Sequence, residues 1–179
     1  LEKFPNPPYL GLAEVGVNGV WVNSGSVGHG LPVALGMALG KKRAGEKGTI
    51  YCIMSDGEMN EGTAWESAAL ASHHKLDNLV VFVDANGWQA MGRTKDVLDM
   101  NHPFHTLKEK WKSFGWQSAE IKGHDHGQIE RSLQLGVGPL CIIAKTIKGK
   151  GVSFFEDHLL YHYKHVDKEE YEKALAELV

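Results

Sequence analysis

Residues 49–62 read TIYCIMSDGEMNEG, an unbroken apolar run that gives way to an acidic turn. The run from Thr49 to Met54 is too short for a helix and suits a strand buried on both faces. The chain then leaves it through Ser55-Asp56-Gly57-Glu58, with Glu61 close behind. Asp-Gly is a common turn pair, which is one sufficient explanation. The other is that Asp56 is a metal ligand at the mouth of a sheet.

Working outward, the same alternation recurs. Upstream, NSGSVGHG (Asn23 to Gly30) runs into LPVALGMALGKKRAG, where Leu31, Ala34, Leu35, Ala38 and Leu39 repeat at helical spacing. Pro32 suits a first turn and Gly45 a C-terminal stop. Downstream, EGTAWESAALASHH (61–74) predicts a helix rich in small residues, and LVVFVD (79–84) a second buried strand. HTLKEKWKSFG (105–115) is an amphipathic helix, QSAEIKG (117–123) a weaker strand, and HGQIERSLQLG a further helix. PLCIIAKT (139–146) is a third strong strand, and KEEYEKALAELV a last helix. Residues 1–24, rich in Pro, Gly and Asn, are expected to be irregular. Strands alternating with helices predict an α/β fold, a parallel sheet flanked by helices on both faces. The whole of 1–179 is expected to form one domain.

Composition narrows the function classes. Of 179 residues, 42% are hydrophobic, and the formal net charge is −3, so no basic surface points to nucleic acid. No apolar run reaches the roughly 18 residues that span a bilayer, and LEKFPNPPYLG lacks a signal peptide's apolar stretch. The two cysteines, Cys52 and Cys141, lie inside apolar runs and read as buried thiols of a reducing compartment. A cytoplasmic protein is expected.

In parallel sheets, ligands sit beyond the carboxyl ends of the strands. The loops there are Ser55-Asp56-Gly57-Glu58, then Asp84-Ala85-Asn86-Gly87-Trp88, then Thr146-Ile147-Lys148-Gly149-Lys150-Gly151. Asp56 and Asn86 are 30 residues apart and leave successive strands. A carboxylate and an amide oxygen converging there suit a hard cation such as Mg²⁺, completed by a carbonyl, water and phosphate. Two ordinary turns, Asp-Gly and Asn-Gly, explain the same residues. The glycine loop Gly25-Ser26-Val27-Gly28-His29-Gly30 opens a helix, so its bare N–H groups could face an anion. It has no Gly-Lys-Ser/Thr ending and no clear preceding strand, so it matches neither a Walker loop nor a dinucleotide fingerprint.

These residues carry a resemblance. SDGEMNEGTAWESAALASHHKLDNLVVFVDANGWQAMGRT resembles the thiamine diphosphate motif, and the wider pattern is similar to transketolases. GSVGHGLPVALGMAL lies upstream and KTIKGKGVSFFEDHLLYHY downstream, so the likeness runs in unbroken order over about residues 12 to 179. The length points to the diphosphate-binding, N-terminal half of a split enzyme. That resemblance implies thiamine diphosphate and Mg²⁺ as cofactors, with Asp56, the Asn86 side chain and the Trp88 carbonyl holding the metal. Gly57 would lend its N–H to the diphosphate, Gly25 and Val27 would line the pyrimidine side, and Glu58 joins the cofactor-binding set. His162, in LLYHYKH, matches a histidine that contacts the diphosphate, although His158 and His165 flank it and surface positions would explain all three. Glu61 and Glu66 match interface carboxylates through which paired active sites communicate; Glu61 could equally be a favourable charge in a helix's first turn. Glu61 and His162 are the residues of this chain closest to a catalytic role. The glutamate that protonates the pyrimidine ring belongs to the other half, so a pyrimidine-binding partner subunit is implied, in a homodimer or heterotetramer. The substrate class is a small sugar or 2-oxo acid.

The sequence also departs from the family. Ser55 replaces the first Gly of the motif, a small change in a tight turn. Leu12 stands near the place of a donor-binding histidine, which predicts a modified ketose or simpler 2-oxo acid as donor. The block that usually precedes this region, with further histidines, is absent from the sequence. Two other readings stay open: an α subunit of a 2-oxo acid dehydrogenase or decarboxylase, and a non-catalytic α/β binding module. The first is disfavoured by HHKLDNL and KGKGVSF, which look like transketolase; the missing histidines best support the second.

Overall fold

The computed structural model describes residues 14–100, 106–135 and 138–178. Six helices, α1 (Gly30–Ala44), α2 (Gly62–His73), α3 (Thr94–Val97), α4 (Leu107–Ser113), α5 (His126–Ser132) and α6 (Lys168–Glu177), alternate with strands among the described residues. The strands are β1 (Ile50–Ser55), β2 (Leu79–Ala85), β3 (Trp88–Gln89), β4 (Gly92–Arg93), β5 (Gln117–Lys122) and β6 (Leu140–Lys145). Four of them form a parallel sheet in the order β1-β2-β6-β5, and β3 pairs antiparallel with β4. Every predicted strand and helix is present, with ends trimmed by a few residues where caps intervene. Gly45 ends α1 in the left-handed region at φ 69°, where its N–H reaches the Lys41 and Lys42 carbonyls. Thr106 with Glu109 and Asp167 with Glu170 form capping boxes at α4 and α6. Residues 14–24 carry turns and an isolated bridge between Val15 and Val17, with no helix or longer strand.

The side-chain period of two splits the sheet's apolar residues between two clusters. Cys52, Met54, Val81, Val83, Cys141 and Ile143 face α1, α2 and α4 in the main core. Val80, Leu140 and Ile142 form a second cluster on the opposite face. The step from β5 back to β6 puts α5 on that second face, because a right-handed crossover in the reverse direction lies behind the sheet. One expectation is corrected: β1 is not buried on both faces, since Tyr51 is 56% and Ile53 79% exposed. A continuous apolar run reports that a strand is apolar, not how many layers cover it.

The main core is closed by aromatic packing around Trp111, which is fully buried. Its ring lies 4.7 Å from Trp116 and 5.5 Å from Trp65, centroid to centroid. The Trp116 indole donates to the Ala68 carbonyl at 2.8 Å, and the Trp65 indole to the Met59 carbonyl at 2.8 Å. The second bond ties α2 to the acidic turn that follows β1. Trp111→Ala is expected to cost about 3–5 kcal/mol, as for other large-to-small core changes. Urea unfolding would check this, and an unchanged midpoint would remove Trp111 from the core.

Candidate functional site

The acidic turn is a 3-10 helix, Asp56–Asn60, whose geometry Ser55 and Glu58 set. Glu58 N–H donates to the Ser55 hydroxyl at 3.3 Å, and the Ser55 N–H donates back to Glu58 Oε2 at 2.8 Å. A glycine at position 55 could not form this capping box, so the departure at Ser55 has a local use. The second Glu58 oxygen accepts from Gly28 N–H at 3.0 Å, and Thr63 donates its hydroxyl to the Gly28 carbonyl at 2.9 Å. The glycine loop is thereby fastened to the turn. Gly28 sits at φ 81°, and a Cβ there would lie 2.8 Å from that of Glu61, so only glycine fits. One sequence expectation changes accordingly: the Gly28 N–H faces the Glu58 carboxylate rather than a free anion. Both Glu58 oxygens are thus engaged with backbone N–H groups.

Parallel register aligns the strand ends. Ser55 pairs with Asp84, and Ala85 with Lys145, so the loops after β1, β2 and β6 emerge at one level. Asp56 is 7% exposed. Its Oδ2 accepts from Gly87 N–H at 2.7 Å, while Oδ1 is buried without a hydrogen-bond partner. Burial, with Asp84 nearby, outweighs the Gly87 hydrogen bond and raises the Asp56 pKa to about 6. Asn86 is half-buried; its Nδ2 donates to Asp84 Oδ2 at 3.2 Å, and its Oδ1 accepts from Trp88 N–H at 2.8 Å. Asp84 also accepts from the Thr146 hydroxyl, which brings in the loop after β6. Beside these residues a cleft of about 320 Å³ opens, lined by Asp56, Gly87, Thr94, Glu120, Lys145 and Thr146 among others. Lys145 and Glu120 form an ion pair at 2.8 Å there.

Gly57 is buried, and a Cβ on it would lie 2.9 Å from that of Gln89. Gly57→Ala is therefore expected to push the hairpin formed by β3 and β4 away from the turn and to weaken ligand binding, with little loss of helix content. Ligand titration beside far-UV circular dichroism measures both, and unchanged binding would show that the hairpin gives way freely.

The structure thus brings together Asp56, Gly57, Asn86 and Trp88, and fastens the loop bearing Gly25 and Val27 to the same turn. Gly25 and Val27 themselves are exposed. His162 ends a 3-10 turn, Leu159–His162, that lies against β3. Its ring is exposed, yet partial desolvation, then Lys148, lowers its pKa below the usual histidine value. Glu61, the N-cap of α2, and Glu66, within it, are both exposed. Leu12 lies outside the described residues. Sequence reasoning places Asp84 and Thr146 in the strand-end loops but gives them no role, although the Asp-x-Asn spacing at 84–86 is a usable signal for an amide held by a carboxylate. Among the described residues, no group of three or more His, Cys, Asp and Glu is placed to hold a metal, and no helix is long and apolar enough to cross a membrane.

Strand-end loops converging on a buried carboxylate define a parallel α/β ligand-binding domain. A family described as "Transketolase, thiamine diphosphate binding domain" matches residues 10–177, and the chain belongs to it. One of the subunits of the apulose-4-phosphate transketolase of Actinobacillus succinogenes is 42% identical over 163 residues, covering 89% of this chain and 58% of that protein. A 6-deoxy-6-sulfo-D-fructose transketolase subunit of Clostridium sp. is 38% identical, again covering 89% of this chain and 58% of the relative. The crystal structure of transketolase from Campylobacter jejuni superposes with a TM-score of 0.80 at 29% identity, over 88% of this chain and 26% of that one. This chain therefore spans a little over half the length of the two subunits it resembles.

Proposed function

We propose that this chain is the diphosphate- and Mg²⁺-binding half of a transketolase-like enzyme, which moves a two-carbon ketol or acyl unit between carbonyl compounds with a pyrimidine-binding partner chain. The observation that carries the reading is Asp56. A buried carboxylate with one oxygen outside hydrogen-bond geometry, its pKa raised by burial to about 6 despite nearby backbone N–H groups, is a costly feature unless a cation neutralises it. Asn86 Oδ1 has a lone pair left after accepting from Trp88, and the Trp88 carbonyl follows in the same loop. One carboxylate, an amide and a carbonyl leave room for the waters and phosphate oxygens that Mg²⁺ prefers to keep. The residues fit the metal and the diphosphate together.

When bound, thiamine diphosphate supplies the nucleophilic carbon and the electron sink. The chain's own residues then bind and orient. Asp56, Asn86 and Trp88 hold the cation, the Gly57 N–H meets the diphosphate, and Gly25 and Val27 border the pyrimidine side. His162, lowered toward its neutral form, reaches the diphosphate from the late loop. Glu61 and Glu66 lie at an assembly surface. The naming of two relatives as subunits supports a partner chain. Their names also support a donor that differs from an ordinary pentose phosphate, in line with the leucine at position 12. Burial and Glu58 push the Cys52 thiol up to about 12, and burial raises Cys141 as well, so both stay reduced and inert in a cytoplasm.

Calorimetric titration with thiamine diphosphate, with and without Mg²⁺, tests the binding half of the proposal. Metal-dependent binding is expected, and metal-independent or absent binding would sink it. Reconstitution with the partner chain, comparing xylulose 5-phosphate with pyruvate and modified ketoses, then tests the reaction. The inward face of α2 is Ala64, Ser67, Ala68 and Ala71, while Leu70, beside Glu66 and Ala69, is 44% exposed. Leu70→Glu is expected to split the assembly into monomers by light scattering. An unchanged mass would move the interface elsewhere.

A further inference from the structure

We propose that Asp157 is a positioning residue: a latch that holds the loop of candidate metal ligands against the late loop carrying His162, so that both sides of the diphosphate site assemble as one unit. This rests on the functional reading above. The late loop and the Asn86–Arg93 segment are far apart in sequence, and one carboxylate joins them. Asp157 Oδ1 accepts from the Trp88 indole at 2.7 Å and from Arg93 Nη1 at 2.8 Å, while Oδ2 accepts from Arg93 Nη2 at 2.5 Å. The guanidinium also stacks on the Trp88 ring, 3.9 Å from its centroid. Trp88 and Arg93 are cross-strand partners in the β3–β4 pair, so Asp157 grips both strands of the hairpin.

The late loop is built to present this carboxylate. Asp157 adopts φ 58°, a left-handed conformation that aspartate tolerates better than most residues. Its N–H donates to the Lys148 carbonyl at 2.9 Å. Gly149, at φ 72°, lies so close to Phe155 that a Cβ would meet its backbone carbonyl oxygen at 2.6 Å. Two residues beyond Asp157 begins the turn Leu159–His162, which lies against β3.

Stability does not explain the arrangement. The Asp157 side chain is 52% exposed and that of Arg93 35%, and exposed ion pairs contribute little to folding. What a bidentate fork plus an indole N–H supplies is direction. The Trp88 N–H orients the Asn86 amide, and the Trp88 carbonyl is the candidate third ligand, so fixing the Trp88 ring and its neighbour Arg93 fixes the metal side. Fixing Asp157 sets the start of the turn bearing His162.

The test uses the full chain with Asp157→Gly, Asp157→Ala, Arg93→Ala and the Asp157→Gly/Arg93→Ala pair. Glycine removes the carboxylate and relieves the left-handed backbone, whereas alanine removes it and keeps the strain. Hydrogen exchange without ligand is expected to quicken in both 86–93 and 157–163 in each variant, with β1 and β2 unchanged. In titrations with thiamine diphosphate and Mg²⁺, each single variant is expected to weaken binding about tenfold, as for other residues that orient metal ligands. The pair is expected to be no weaker than either single change, and the thermal midpoints are expected to stay close to wild type. Wild-type affinity in Asp157→Gly with a loss only in Asp157→Ala would reduce the role to backbone strain and overturn the latch. So would exchange that quickens in one loop alone, or losses that multiply in the pair. If the wild-type chain binds no thiamine diphosphate, the functional reading fails, and hydrogen exchange alone then decides whether Asp157 joins the loops.

Discussion

Replacing Asp56 with asparagine is expected to strengthen the metal-free fold and, in the same protein, to abolish Mg²⁺-dependent cofactor binding. The two effects share one cause. Asp56 holds its proton up to about pH 6 in the folded chain against an ordinary value of 3.8, chiefly because its carboxyl is buried. A carboxyl that binds its proton more tightly when folded contributes most below the unfolded pKa, and that contribution is lost as pH rises through the folded one. The metal-free wild type should therefore lose up to about 3 kcal/mol between roughly pH 4 and pH 7, the equivalent of some two pKa units. Asparagine keeps an oxygen for the Gly87 N–H and never ionises, so the variant should escape that loss. Without a carboxylate, however, an amide and a carbonyl are poor compensation for dehydrating Mg²⁺. Urea unfolding at pH 5 and pH 8, beside cofactor titration with Mg²⁺, reads both effects. A variant that is less stable than wild type at pH 8, or that still binds cofactor through Mg²⁺, would show that Asp56 is an ordinary turn residue.

Much of this site was legible because it depends on period and position. Apolar runs located β1, β2 and β6, and a parallel sheet forces the residues that follow those strands to one edge, which is why Asp56 and Asn86 could be paired from spacing alone. The exposure of Tyr51 and Ile53 was not legible, since coverage depends on what packs on the sheet and not on the strand itself. Glu58 was placed in the cofactor-binding set, but its partners are two backbone N–H groups, one of them thirty positions earlier in the chain. Nothing in residue types distinguishes a carboxylate aimed at a ligand from one aimed at a loop. Asp157 was invisible for a related reason: its partners, Trp88 and Arg93, are brought to it by the fold of the late loop, which carries no periodic signal.

Glu58→Ala is expected to destabilise the chain by about 2–5 kcal/mol, because a charged acceptor disappears from two backbone donors at once. The Ser55 and Gly28 N–H groups, at 2.8 and 3.0 Å from its two oxygens, would be left half-buried and unpaired. The damage should not stay local. Gly28 is wedged against Glu61 and Thr63 with no room for a Cβ, so its position depends on the bonds that hold it there. Once released, the loop bearing Gly25 and Val27 should drift, and cofactor affinity should fall together with stability. Glu58→Gln separates this from a direct contact. Glutamine still supports a capping box but offers one oxygen in place of two, so it can satisfy Ser55 or Gly28 and not both. If Glu58 acts by tethering, glutamine should lose part of the stability and part of the affinity in parallel. Gly28→Ala, with Glu58 intact, should then reproduce the affinity loss by displacing the same loop. If Glu58 instead touches the cofactor, glutamine should weaken binding while the unfolding midpoint stays put, and Gly28→Ala should not mimic it. Paired urea unfolding and cofactor titration of the three variants decide between the two, and a binding loss without a stability loss in Glu58→Gln would return Glu58 to the cofactor contacts.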